Sequence, residues 1–203
     1  MSNKPIALKT IREQIVEHLR SQVLSGNYNQ GDPLREEKLA RDYGVSRGPI
    51  RDALLQLTKE GLLEAVPNRG VRVRKRPTEK SHLLIAKLRR QLESDCLKTI
   101  FPKIQSEDLM EWKDNLDAFK KACEEGNMME AVKHDMAFHR SIVEKVEDED
   151  LIAIWIPIVT HMMLPYSRHQ NLLESYAEHK NILEAICEKD LQKSVKLLKQ
   201  NIQ

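Results

Sequence analysis

The chain has 203 residues, with 33 Lys and Arg against 31 Asp and Glu and only three Cys. At ~150 residues per domain it accommodates one or two domains with their own cores, and 25 Leu, 15 Ile, 11 Val and 3 Phe exclude a disordered chain. The first 14 residues carry Lys4, Lys9, Arg12 and Glu13 and lack the apolar centre of a signal peptide. The most apolar run, Leu151 to Leu164, is too short for a bilayer and contains Pro157 and His161. Cys96, Cys123 and Cys187 are odd in number and lack CxxC spacing, which excludes a disulfide framework and a Cys-rich zinc site. These features predict a cytoplasmic protein with no membrane partner.

Charge and glycine divide the chain. Residues 1–77 hold 15 Lys and Arg and 9 Asp and Glu, and the remainder hold 18 and 22. Six of the seven Gly lie between Gly26 and Gly70. A basic, turn-rich segment is thus followed by an acidic one almost free of glycine. Pro77 stops regular structure and Thr78 can cap a new helix, which places the boundary between a domain of residues 1–76 and another of 77–203. The expected fold is mostly α: three helices and a small β-hairpin forming a winged helix-turn-helix, then an all-α bundle.

In the first segment Ile11, Ile15, Leu19 and Val23 recur every four residues, predicting a helix over about 8–24 that Gly26 and Asn27 end. A short helix over about 36–43 follows Gly31-Asp32-Pro33. The next begins at Ser46, whose hydroxyl can cap it, with Pro49 in its first turn. Ala40, Gly44 and Ile50 have the spacing of a helix-turn-helix: a small residue where two helices approach, a left-handed turn, and a return to the core. Leu62–Val66 and Val71–Val73, separated by Pro67-Asn68-Arg69-Gly70, read as a hairpin and hence a wing. Arg47 and Arg51 share one face near the start of the second motif helix, the end that enters a major groove, where a guanidinium can bond guanine bidentately. Arg69 at the wing tip, with Ser46, Lys9 and Arg35, completes the candidate DNA-contacting set.

These residues resemble a known family. Leu39-Ala40, Gly44-Val45-Ser46-Arg47, Pro49-Ile50-Arg51-Asp52-Ala53-Leu54, Leu57, Glu60-Gly61-Leu62 and Arg69-Gly70-Val71 look like the DNA-binding domain of GntR-type bacterial transcription regulators. Gly48 stands where a Thr is usual. Glu37 stands where fatty-acid-responsive members carry a DNA-contacting Arg, so the resemblance carries no contact over to it.

After Pro77 the pattern is helical throughout, over about 78–100, 106–124, 128–146, 148–164, 170–188 and 190–203. Leu84, Ile85, Leu88 and Leu92 share a face of the first, and Pro157 and Pro165 should kink and end the fourth. Six helices without a strand signal predict an antiparallel bundle around a cavity. Asp135 and His139 are four apart on a face with Val132, Phe138 and Ile142, and His179 lies on a later helix. From residues alone this is equally a metal site or a buried Asp–His pair. Asp135, His139 and His179 resemble the FCD effector domain of the FadR branch, and that resemblance implies a divalent metal (Zn, Ni or Mn) on these three. The family's fourth ligand, a His, falls at Asn201, a poor ligand beside imidazoles; His161 and His169 are possible substitutes. Arg89 matches a cavity-facing arginine of the family, suited to a carboxylate effector, or simply pairs with Glu93.

The resemblance implies a homodimer reading a palindromic operator in double-stranded DNA, with repression relieved by a small-molecule effector. Two alternatives remain: a metal-dependent enzyme using Asp135, His139 and His179, and a regulator whose metal is purely structural. No nucleophile motif, additional acid–base pair or glycine-rich loop accompanies those three residues, and an enzyme would leave the winged helix without a role.

Overall fold

The computed structural model describes residues 10–163 and 171–203. Within them the chain divides into two compact units, the first ending at Lys75 and the second starting at Arg76. Lys9, His169 and Pro165 lie outside the described residues.

The first unit opens with α1 (Ile11–Leu24). Thr10 caps it, its hydroxyl accepting from the Glu13 amide while the Glu13 carboxylate accepts from the Thr10 amide. A two-residue strand β1 (Pro33–Leu34) precedes α2 (Glu36–Tyr43) and α3 (Arg47–Lys59). Between these helices Gly44 takes the left-handed conformation, φ 65°, and the Val45 amide then reaches back to the Ala40 carbonyl, closing the helix end. Ser46 stands at the cap position of α3 with extended dihedrals, but its side chain makes no capping bond. Pro49 occupies the third helical position, where it removes the N–H such a hydroxyl would accept from.

β2 (Leu63–Val66) and β3 (Gly70–Val73) form the expected hairpin, paired from Leu63 with Val73 to Val66 with Gly70. The sheet also has a third strand that periodicity could not reveal: β1 pairs antiparallel with β3, Leu34 opposite Val71, giving the order β1-β3-β2. Two residues are too short to carry an alternating pattern. Leu19, Ile50, Leu57, Leu62 and Leu63 are completely buried and seat the hairpin on the helices.

The second unit contains α4 (Glu79–Ile100), α5 (Ser106–Glu124), α6 (Met128–Glu144), α7 (Glu149–Met163), α8 (Leu172–Cys187) and α9 (Leu191–Asn201), with a single 3-10 turn at Phe101–Lys103. α5 packs on α6 and α8, α8 on α9, and α4 on α6, α7 and α9. Trp112, Phe119, Phe138, Ile142, Trp155 and Ile182 fill the centre, and the Trp112 indole donates to Ser141 Oγ at 2.6 Å. The inward face of α4 differs from its most apolar stripe. Ala86, Arg89, Glu93 and Leu97 are buried, whereas Leu84 and Leu88 are 54% and 59% exposed. A buried polar pair on α4 therefore displaces leucines outward. No described helix is long and apolar enough to cross a membrane.

The Gly44 turn fixes the angle between α2 and α3. No atom lies within 4 Å of a Cβ added there, so Gly44→Ala pays only for left-handed backbone. It should lose about 1–2 kcal/mol in denaturant unfolding of the intact chain, with Gly44→Asn recovering part of that.

Candidate nucleic-acid interface and candidate metal centre

α3 opens with Arg47, and Arg51 follows one turn later, their side chains 55% and 59% exposed. Both are held by one carboxylate that the sequence reading did not single out. Glu36, the first residue of α2, accepts from Arg51 Nε and Nη2 at 3.3 and 3.2 Å and from Arg47 Nη2 at 3.3 Å. The hydrogen bond from Arg51, outweighing partial burial, together with the bond from Arg47, lowers the Glu36 carboxyl pKa. Glu37 adds a bond from Arg47 Nη1 at 3.2 Å. The side-on grip on Arg51 leaves the end of its guanidinium free in donors, and each terminal nitrogen of Arg47 keeps a second N–H.

These residues line a groove between the helix-turn-helix and the wing, together with Arg35 and Arg69. Asn68 and Gly70, at φ 60° and 81°, turn the wing tip and leave Arg69 exposed between them. Ser46 and Arg35 are exposed too. Four arginines thus line one groove at the start of α3, an arrangement suited to phosphates and base edges.

In the second unit α4, α6, α7 and α8 bring a polar cluster into the core. Glu93 is fully buried and all its described donors are strong. Oε1 accepts from Arg89 Nε and Trp155 Nε1, each at 2.6 Å, and Oε2 accepts from His139 Nδ1 at 2.7 Å. Burial alone would push this carboxyl up, but the Arg89 guanidinium and His139 outweigh it and hold it down at about 2.

The hydrogen-bond network fixes both tautomers. A carboxylate and a carbonyl can only accept, so His139 Nδ1 donates to Glu93 and His179 Nδ1 donates to the Ser175 carbonyl at 2.7 Å. Each ring then turns Nε2 inward, and the two nitrogens lie within hydrogen-bond distance of each other at 3.2 Å. Asp135 stands beside them, Oδ1 at 3.9 Å from His139 Nε2 and Oδ2 at 3.8 Å from His179 Nε2. Phe119 and Phe138 meet the His179 ring edge-on, both at 5.2 Å between centroids.

With both Nε2 atoms unprotonated, the two nitrogens and the Asp135 carboxylate form a ligand set for one cation. Donors about 2.0–2.2 Å from a common ion sit roughly 3.0–3.5 Å apart; the two Nε2 atoms already meet this at 3.2 Å, and Asp135, at 3.8 and 3.9 Å, would move in slightly. The residues fit a divalent transition metal: imidazoles favour Zn, Ni or similar ions over Mg or Ca, and each ring is oriented by an acceptor behind it, as ligating histidines are. Asn201 is buried at the opposite edge of His179, its Nδ2 donating to Glu178 at 2.9 Å and 3.5 Å from His179 Nδ1. His161 Nδ1 donates to the Pro157 carbonyl of its own helix at 2.7 Å. Arg89 makes the pair with Glu93 and also keeps a buried Nη2 that has no partner among the described residues.

Because its pKa is depressed from the ordinary 4.5, Glu93 contributes stability that is complete above about pH 5 and lost as pH falls towards 2. Glu93→Gln, which leaves Arg89 as an uncompensated buried charge, should cost roughly 3–5 kcal/mol at pH 7. In denaturant titrations the gap between variant and parent should narrow as pH is lowered.

Comparison with known proteins places both units. Residues 11–73 match the bacterial regulatory proteins of the gntR family, and residues 84–203 match the FCD domain. The HTH-type transcriptional regulator YdhC of Bacillus subtilis (strain 168) is 30% identical over 64% of this chain, and a gluconate operon transcriptional repressor of Bacillus licheniformis is 28% identical over 68%. The matched segments span 58% and 56% of those relatives' own lengths. Among solved structures, McbR/YncC of E. coli superposes with a TM-score of 0.80 at 21% identity, covering 96% of this chain and 94% of that one, a likeness of fold. The family is one of transcriptional regulators and not of enzymes, and this chain belongs to it: a GntR-type winged helix-turn-helix joined to an FCD domain.

Proposed function

We propose that the chain is a cytoplasmic, homodimeric transcriptional repressor whose affinity for a palindromic operator is set by a carboxylate metabolite held on a divalent metal. The facing Nε2 atoms of His139 and His179, with Asp135 beside them, are the observation that carries this reading. Asp135, His139 and His179 would hold the metal, which when bound supplies an open Lewis-acidic position for a ligand oxygen. Glu93 keeps the His139 lone pair aimed inward and Ser175 does the same for His179.

Charge bookkeeping in the core favours an anionic effector. Among the described residues, the buried carboxylates of Glu93 and Asp135 and the Arg89 guanidinium leave one net negative charge; a divalent cation makes it one positive, which a monocarboxylate cancels. The Nη2 of Arg89, without a partner among the described residues, offers that carboxylate a donor. On the DNA side, Arg47, Arg51 and Arg69 would take bases and phosphates, with Ser46, Arg35 and Lys9 on the backbone. A winged helix reads too few base pairs to find one genomic site, so a two-fold pair is needed; the outward Leu84 and Leu88 of α4 are apolar surface available to it.

The test uses natively purified protein and duplexes it enriches from a random-sequence pool. Chelation, or His139→Ala, should change affinity for those duplexes about 5- to 150-fold, and added metal should restore the chelated parent but not the variant. Equal affinities in all of these states would contradict regulation through this site. Loss of helical circular dichroism on chelation would instead assign the metal a structural role.

A further inference from the structure

Glu37 presents an oddity in a groove otherwise built for an anion. Its side chain is 72% exposed, yet it lies among Arg35, Arg47, Arg51 and Arg69, where a carboxylate opposes DNA phosphate. Its neighbour Glu36 has a clear positional task, gripping Arg47 and Arg51 together from a site only 29% exposed. Glu37 grips only the outer nitrogen of Arg47, Nη1, at 3.2 Å. Helix stabilisation accounts for an acid in the first turn of α2, but Glu36 already supplies one. What remains specific to Glu37 is a carboxylate carried beside the guanidinium of Arg47, which the proposed function assigns to bases and phosphates.

The major groove offers such a carboxylate one natural partner. Arg pairs with guanine through O6 and N7, both acceptors, whereas Glu pairs with cytosine through the N4 amino donor. An Arg and a Glu tied at 3.2 Å therefore match adjacent positions of opposite character. We propose that Glu37 is a specificity-determining residue that accepts a hydrogen bond from the N4 amino group of a cytosine next to the base pair read by Arg47. The Glu37–Arg47 ion pair stays formed on DNA, fixing the two heads at one spacing and excluding bases without an amino donor at that place. This rests on the reading of the α3 groove as the DNA-binding face.

The experiment is selection from a random duplex pool by the intact parent, Glu37→Ala, Glu37→Gln, Arg47→Ala and Arg51→Ala, followed by sequencing of the bound fractions. The parent should enrich a half-site in which one position prefers cytosine by roughly ten- to a hundredfold. Glu37→Ala should flatten that position alone, and Glu37→Gln should move it towards adenine, the base a glutamine amide pairs with. Arg47→Ala should abolish the preference at the neighbouring position. If Glu37→Ala selects the parent's sequence while the arginine variants do not, Glu37 reads no base and the proposal falls, leaving the DNA-binding face intact. If the arginine variants also select the parent's sequence, or the parent enriches nothing, the face itself is misassigned and the proposal falls with it.

Discussion

The chemistry of the helical unit depends on one buried carboxylate. Glu93 takes hydrogen bonds from a guanidinium, an indole and an imidazole, and an ionised group with no water would be untenable without donors of that strength. The consequence reaches past stability. By accepting from Nδ1 of His139, Glu93 determines which ring nitrogen carries the proton and hence where the lone pair points. Three helices are tied through this atom pair: α4 supplies the carboxylate, α7 the indole, α6 the imidazole. The outward turn of Leu84 and Leu88 follows from the same arrangement, since α4 gives its inward face to Arg89 and Glu93.

The DNA-binding unit uses the same device at its surface. Glu36 holds Arg51 by its side and Arg47 by one terminal nitrogen, leaving N–H donors on both guanidinium ends. In water such pairs contribute little to stability, ~0–1 kcal/mol each. Their value is in order: long side chains that would otherwise sample many rotamers are kept near one orientation. In both units a carboxylate therefore positions the groups that meet a ligand, buried and strong in one, exposed and soft in the other.

The mostly α class and the elements of both units were legible because their helices are long and periodic and because Gly44 and Pro49 punctuate the motif. Arg47, Arg51, Asp135, His139 and His179 were legible from spacing and resemblance together, and the structure brings the last three to within 4.8 Å of one another. Three features were hidden for physical reasons. β1 is two residues long and owes its existence to a partner strand. The missing bond at the Ser46 cap follows from Pro49 three positions on. Glu36 and Glu93 belong to helices where a glutamate is unremarkable; the Arg89–Glu93 pair is readable from spacing, but only packing shows that Glu36 faces two arginines of α3 and that Glu93 also meets Trp155 and His139.

The most direct test of the central claim is X-ray absorption at the edge of whichever metal copurifies with the native protein. An ion held by His139, His179 and Asp135 requires a first shell of nitrogen and oxygen at ~2.0–2.2 Å, with two rigid imidazoles visible in the outer scattering. His179→Ala should remove one of those imidazoles. A stoichiometric metal whose spectrum shows no imidazole, or a native protein that carries and accepts none, would contradict the account.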